Sequence, residues 1–282
     1  MTVREQRLKL RESLVPIYGY GEARAIIRII FHSLKGWDAT DLIIHEGDQL
    51  SDYITEKIEE IVKRLMNHEP IQYILGKTYF YGMDLDVDRS TLIPRPETEE
   101  LVDMIVKGYR DKKDLRVLDI GTGSGAIAIA LARNLPFSDV TAIDISNDAL
   151  SVAQRNAENF KTGIKFLNED IFYFSPHPDS FDIIVSNPPY IDESEKKDME
   201  KNVLDYEPHS ALFVPDENPI IFYSRIIEIA RESLSSEGSL WFEINPRHCE
   251  EITRLLDHEG FIDIEARKDI NGKNRFISAK RK

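Results

Sequence analysis

The run Arg116-Val-Leu-Asp-Ile-Gly-Thr-Gly-Ser-Gly-Ala126 settles the architecture of this chain. Arg116–Asp119 is a short buried strand, Gly121, Gly123 and Gly125 alternate through a turn, and small residues from Ala126 to Arg133 form a helix. Glycines between a strand and a helix permit positive φ and let a ligand approach the backbone, while the helix N-terminus adds partial positive charge. Working outward, Val140–Asp144 reads as a second strand with a helix over Ala149–Asn159. Ile164–Leu167, Phe181–Ser186 and Ser239–Ile244 are further strands. Strands alternating with helices indicate a largely parallel sheet of α/β type. Phe261–Arg267 and Arg275–Lys280 follow one another with no helix between them, so an antiparallel pairing is expected at the end.

Upstream the pattern is helical. Thr2 and Glu5 are spaced as a capping box, Leu10, Leu14 and Ile17 follow at helical spacing, and Gly19-Tyr-Gly21 breaks the chain before Ala23–Leu34. Leu50, Tyr53, Ile54, Ile58, Ile61, Val62 and Leu65 then share one face. Tyr79–Asp88 alternates around Gly82 as a hairpin, and Pro94-Arg-Pro96 stiffens the chain before a helix near Glu97–Lys107. The expected organisation is a helical domain over 1–69, a hairpin and Pro-rich linker over 70–96, and an α/β domain over 97–282. A length of 282 residues accommodates two domains.

Composition excludes several classes. Hydrophobic residues make up 41% and charged residues 30%, which suits packed cores rather than disorder. A single Cys excludes a disulfide scaffold and a cysteine-rich zinc site, and His32, His45 and His68 are isolated, so no metal is expected. The longest apolar run, Ala126–Ala132, is far short of a membrane helix, and the N-terminus is charged from Arg4 without an apolar signal region. A cytoplasmic location and no membrane partner are expected. The net charge is −14, and 11 basic against 12 acidic residues in 1–80 leave −13 for the remainder. Such a surface repels a phosphate backbone, so no nucleic-acid partner is expected.

Gly121-x-Gly123-x-x-Ala126 also satisfies a dinucleotide fingerprint, and Asp144 stands where a carboxylate would hold a ribose diol. Dinucleotides and S-adenosylmethionine (SAM) share that ribose. Asp119 favours SAM, because a carboxylate before the loop opposes a pyrophosphate yet suits the ammonium of a methionine moiety. Gly123-Ser124-Gly125 is no nucleophile elbow, since Thr122 occupies the position that needs glycine.

Asn187-Pro-Pro-Tyr190 follows the strand Phe181–Ser186, at the carboxyl end where open α/β sheets bind ligands. Two prolines fix the backbone so that the Asn187 amide and the Pro188 carbonyl converge on one group, and Tyr190 supplies a flat face. Two carbonyl acceptors suit a planar NH2 with little free lone pair. They can hold both N–H bonds and aim the nitrogen at a sulfonium methyl, so positioning replaces a strong base.

These residues resemble class I SAM-dependent methyltransferases that act on amino or amide nitrogen. His68–Gly76, Thr91–Glu99, Glu207-Pro208 with Ala211-Leu212, and Asp269–Gly272 with Arg275 narrow the resemblance to the protein-(glutamine-N5) methyltransferases of peptide-chain release factors. The resemblance implies a Rossmann-like seven-stranded SAM-methyltransferase sheet with an antiparallel last strand, a small all-helical N-terminal domain and a β-hairpin linker. It implies methyl transfer to the glutamine of a Gly-Gly-Gln loop, tuning translation termination, with S-adenosyl-L-homocysteine as product. By the same resemblance, the loop Gly121, Thr122, Gly123, Ser124 and Gly125 contacts the methionine part of SAM, and Asp144 its ribose. Asp170, Ile171 and Phe172 flank the adenine. Asn187, Pro188, Pro189 and Tyr190 receive the glutamine, with Asn187 shared by cofactor and substrate. The alternative is an adenine-N6 methyltransferase of DNA or RNA, which needs base flipping and a basic track beside the cleft.

Overall fold

A computed structural model describes residues 1–282, the side chain of Asp198 apart. The chain forms two compact units, Met1–Gly76 with Lys201–Tyr206, and Lys77–Glu200 with Glu207–Lys282.

The first unit is helical, with helices over Val3–Lys35, Asp41–Ile44, Asp52–Leu65 and Ile71–Leu75. The capping box at its start is complete: Glu5 N–H donates to Thr2 Oγ1 and Thr2 N–H to Glu5 Oε2. Gly19, at φ 72 and ψ 170, kinks the long first helix rather than ending it. Leu10, Leu14, Ile26, Ile30 and Phe31 pack with Ile54, Ile58, Ile61 and Leu65. Tyr53 departs from the expected face and is 64% exposed. It sits one step off the buried 54-58-61-65 series, and a helix turns about 100° per residue. Tyr206 joins this unit by donating its hydroxyl to the Asn67 carbonyl.

The second unit opens with the hairpin β1 (Lys77–Phe80) and β2 (Met83–Asp86). Tyr81 and Gly82 both take positive φ, as a two-residue hairpin turn of type I′ requires. Phe80, Met83 and Leu85 lie in one apolar cluster with Leu101, Val102 and Ile129. Buried Asn156 ties the hairpin to the glycine loop: its Oδ1 accepts from Asp86 N–H, and its Nδ2 donates to the carbonyls of Asp86 and Ser124.

The remaining strands are β3 (Arg116–Ile120), β4 (Asp139–Asp144), β5 (Ile164–Asn168), β6 (Phe181–Ser186), β7 (Ile191–Asp192), β8 (Phe213–Val214), β9 (Leu234–Glu243), β10 (Ile262–Lys268) and β11 (Asn274–Lys280). Seven form one sheet in the order β10-β11-β9-β6-β3-β4-β5. β9, β6, β3, β4 and β5 run parallel, while β11 is antiparallel to both of its neighbours. This is the expected α/β sheet. β9 begins earlier than the sequence suggested, and the β7–β8 pair was not foreseen.

Side chains alternate between two cores. Val117, Ile183 and Trp241 face one, Leu118, Ile184 and Phe242 the other. Burial on both faces is why these strands read as continuous apolar runs. The strand order reverses between β3 and β6, which opens a crevice at their carboxyl ends.

Candidate active site

The glycine loop leaves the end of β3 with Gly121, Gly123 and Gly125 all at positive φ. Gly125 has a second constraint: a Cβ there would lie 3.1 Å from both Ala153 Cβ and Ile129 Cδ1. It precedes the helix Ala126–Asn134 as its N-cap, so the first turn's N–H groups lie beside the loop.

Asp144 closes the other side. Its Oδ2 accepts from Gly123 N–H at 2.8 Å and its Oδ1 from Ser146 N–H at 2.9 Å. Burial raises its pKa against the pull of these N–H donors. Each oxygen of a carboxylate can accept a second hydrogen bond, so capacity for a diol remains.

Asp119 lies inside the loop, fully buried. Its Oδ2 accepts from Thr122 Oγ1 at 2.7 Å and from Ala128 N–H at 3.2 Å, while its Oδ1 has no hydrogen-bond partner among the described residues. Burial pushes this carboxyl up to about 7.

A cavity of about 320 Å³ lies over these strand ends. It brings together Gly121 and Gly123, Asp144, the Asp170–Phe172 turn and Asn187–Pro189. Asp119, Thr122, Ser124, Gly125 and Tyr190 are not among its lining residues. The Asp170–Phe172 turn is fixed from behind by Arg225, which donates to the Ile171 and Phe174 carbonyls.

A wall not foreseen comes from Thr91, Leu92, Pro208 and Ala211. Glu207 joins its two segments by accepting from Ile93 N–H and from Arg95 Nη2, the latter at 2.7 Å. This gives a physical role to the Glu207-Pro208 and Thr91–Glu99 motifs.

Beneath Asn187–Tyr190 runs a buried polar network that the sequence reading missed. Asn187 Nδ2 donates to Thr98 Oγ1 at 3.3 Å, and Thr98 Oγ1 donates to Glu243 Oε2 at 2.7 Å. Tyr190 donates its hydroxyl to Glu243 Oε1 at 2.9 Å. Glu243 is fully buried, which raises its pKa; its two hydroxyl donors and the charge of Arg275 oppose that rise. Asp269 accepts from Arg275 Nε and so orients this cation, while burial and Glu243 raise the Tyr190 pKa. The signal available was Glu243 as the lone charge in Leu240-Trp-Phe-Glu-Ile244.

Residues 111–262 match the family described as "Methyltransferase domain", and residues 8–76 match "PrmC N-terminal domain". A methyltransferase from Pyrococcus furiosus superposes with a TM-score of 0.53 at 18% identity, covering 77% of this chain and 96% of that one. A SAM-dependent O-methyltransferase from Thermotoga maritima gives 0.50 at 17% identity, covering 68% and 67%. Sheet order, glycine loop and crevice define a SAM-dependent methyltransferase. Proteins named release factor glutamine methyltransferase are similar over nearly their whole length. That of Bacteroides thetaiotaomicron is 46% identical, covering 96% of this chain and 98% of its own. That of Flavobacterium psychrophilum is 43% identical, covering 98% of each. The chain belongs to the release factor glutamine methyltransferase family.

Proposed function

We propose that the protein transfers the methyl group of SAM to the side-chain amide nitrogen of the glutamine in a release factor's Gly-Gly-Gln loop, leaving S-adenosyl-L-homocysteine. The observation that carries this reading is the orientation of Asn187. Its NH2 is engaged by Thr98, so its Oδ1 is the atom left to face the cavity that Asn187 lines. Beside it, the Pro188 carbonyl accepts no hydrogen bond among the described residues.

The residues present fit SAM. Asp144 lines the cavity with capacity to accept from a ribose diol, Ile171 and Phe172 offer an apolar wall for adenine, and buried Asp119 lies behind the loop assigned to the methionine end. Bound SAM supplies an electrophilic methyl on a sulfonium, so no metal is needed to activate it. The chain's part is to place the nucleophile: Asn187 Oδ1 and the Pro188 carbonyl accept the two N–H bonds of the glutamine amide. Held this way, the nitrogen presents its lone pair to the methyl. With SAM bound, the carbon–nitrogen bond would form as the carbon–sulfur bond breaks, and the cationic nitrogen would release its proton to water. Orientation of this kind is worth about 7–11 kcal/mol in well-aligned cases.

Nucleic-acid methylation is disfavoured by the lining itself, which includes Asp144, Glu169 and Asp170 but no Lys or Arg. Offering labelled SAM with a purified release factor and a DNA duplex side by side checks the acceptor. Label on the factor is expected; label on DNA alone contradicts the reading. A translation-termination substrate places the enzyme in the cytoplasm.

Residues 1–69 are assigned to recognising the protein substrate, 70–96 to connection, and 97–282 to transfer. In the helical unit, Arg7, Arg11, Arg24 and Arg28 line one groove with Tyr20, and no carboxylate lines it. Arg and Tyr are favoured at interface anchors. Reversing charge with Arg24→Glu and Arg28→Glu should raise KM for the whole factor by about tenfold or more, equivalent to about 1.4 kcal/mol. KM for a short loop peptide should not change, and equal effects on both would refute the assignment.

A further inference from the structure

Glu243, Thr98 and Asn187 come from the end of β9, the first turn of the helix Pro96–Tyr109 and the turn after β6, yet they form one chain of hydrogen bonds. The direction of each bond in that chain is determined. Glu243 accepts twice, from Tyr190 at Oε1 and from Thr98 at Oε2. A hydroxyl has one proton, and Thr98 has given its proton to Glu243, so Thr98 Oγ1 can only accept from Asn187. Asn187 therefore turns its NH2 inward and its carbonyl oxygen outward. We propose that Glu243 is a positioning residue that fixes the orientation of the Asn187 amide through the Thr98 hydroxyl, and thereby keeps a hydrogen-bond acceptor in front of the methyl-accepting nitrogen. This rests on the reading of Asn187 as the acceptor for a glutamine N–H.

The need for such a device follows from the chemistry. Asn has a donor and an acceptor of nearly equal size, and a flip exchanges them with little change in shape. A flipped Asn187 would set N–H against N–H and would donate to the very lone pair that must react. Burial enforces the order: every member of a low-dielectric network must be satisfied, so the orientation at one end dictates the other.

The test is Glu243→Gln in the full chain. A Gln side chain can accept from Tyr190 and donate to Thr98. The Thr98 proton is then released toward Asn187, and the amide reverses. The expected result is a fall in kcat of about 100-fold, the scale of losing one preorganised polar contact in a transition state. SAM affinity by calorimetry, KM for the release factor and the unfolding midpoint should stay close to wild type, which a merely structural role would not allow. Thr98→Val removes the hydroxyl at constant shape and should lower kcat about tenfold, whereas Thr98→Ser restores the hydroxyl and should retain at least about a third of it. The valine–serine pair carries the test should Glu243→Gln fail to fold. Wild-type-like kcat in Glu243→Gln, or equal losses in the two Thr98 variants, overturns the relay alone. A wild type that binds SAM and methylates no glutamine overturns the functional reading and the relay with it.

Discussion

Asn187→Ala should lower kcat by about 1,000-fold or more while leaving SAM affinity within a few-fold of wild type. The substitution removes Oδ1, one of the two acceptors assigned to the substrate amide, and leaves the rest of the pocket in place. Pro188 and Pro189 still hold the turn, Ser186 still anchors β6 by donating to the Ile120 carbonyl, and Asp144 still closes the glycine loop. An amide nitrogen held by one acceptor rotates, and its lone pair is no longer aimed. Because the nitrogen is not acidic, no base elsewhere can take over. Single-turnover transfer from labelled SAM, with calorimetry for binding, separates the two effects. A kcat within tenfold of wild type would remove Asn187 from the mechanism.

Asp119→Asn should change how stability depends on pH. In the folded protein the Asp119 carboxyl is held at about 7 by burial, against an ordinary value of 3.8. Between those values the folded chain keeps a proton that the unfolded chain has released, so folding is favoured at the acid end and weakened as pH rises toward 7. The whole span corresponds to about 4 kcal/mol. Asn does not titrate, so the variant lacks this loss. Its stability relative to wild type should therefore improve by about 2–3 kcal/mol between pH 5 and pH 8, measured by urea unfolding of both proteins without SAM. A difference independent of pH would mean that Asp119 is not the buried, poorly solvated acid described.

The parts legible in the sequence are local. The glycine loop, the strand-ending Asp144 and the Asn187–Tyr190 turn each lie within one short segment, where spacing and residue type reveal the backbone they need. The reversed β11 was legible because two strands joined by a connection too short for a crossover pair in opposite directions. What was hidden depends on residues far apart in the chain. Thr98 and Glu243 are 145 residues apart, and neither is unusual until the fold sets one against the other. The wall joined by Glu207 and Ile93 is hidden for the same reason. Asp119 was read from its place before the loop, but only the packing puts it inside the loop with one oxygen unpartnered. Tyr53 shows the limit of periodicity, since an aromatic beside a buried Ile54 reads as part of the same face.

The central claim is that one glutamine nitrogen is the acceptor. The most direct measurement is mass spectrometry of a release factor's loop peptide after incubation with the enzyme and methyl-labelled SAM, beside the same factor with its loop glutamine replaced. The account predicts one methyl group on the glutamine side chain of the unaltered factor and none on the replaced one. A methyl on any other residue, or equal labelling of both proteins, would contradict it.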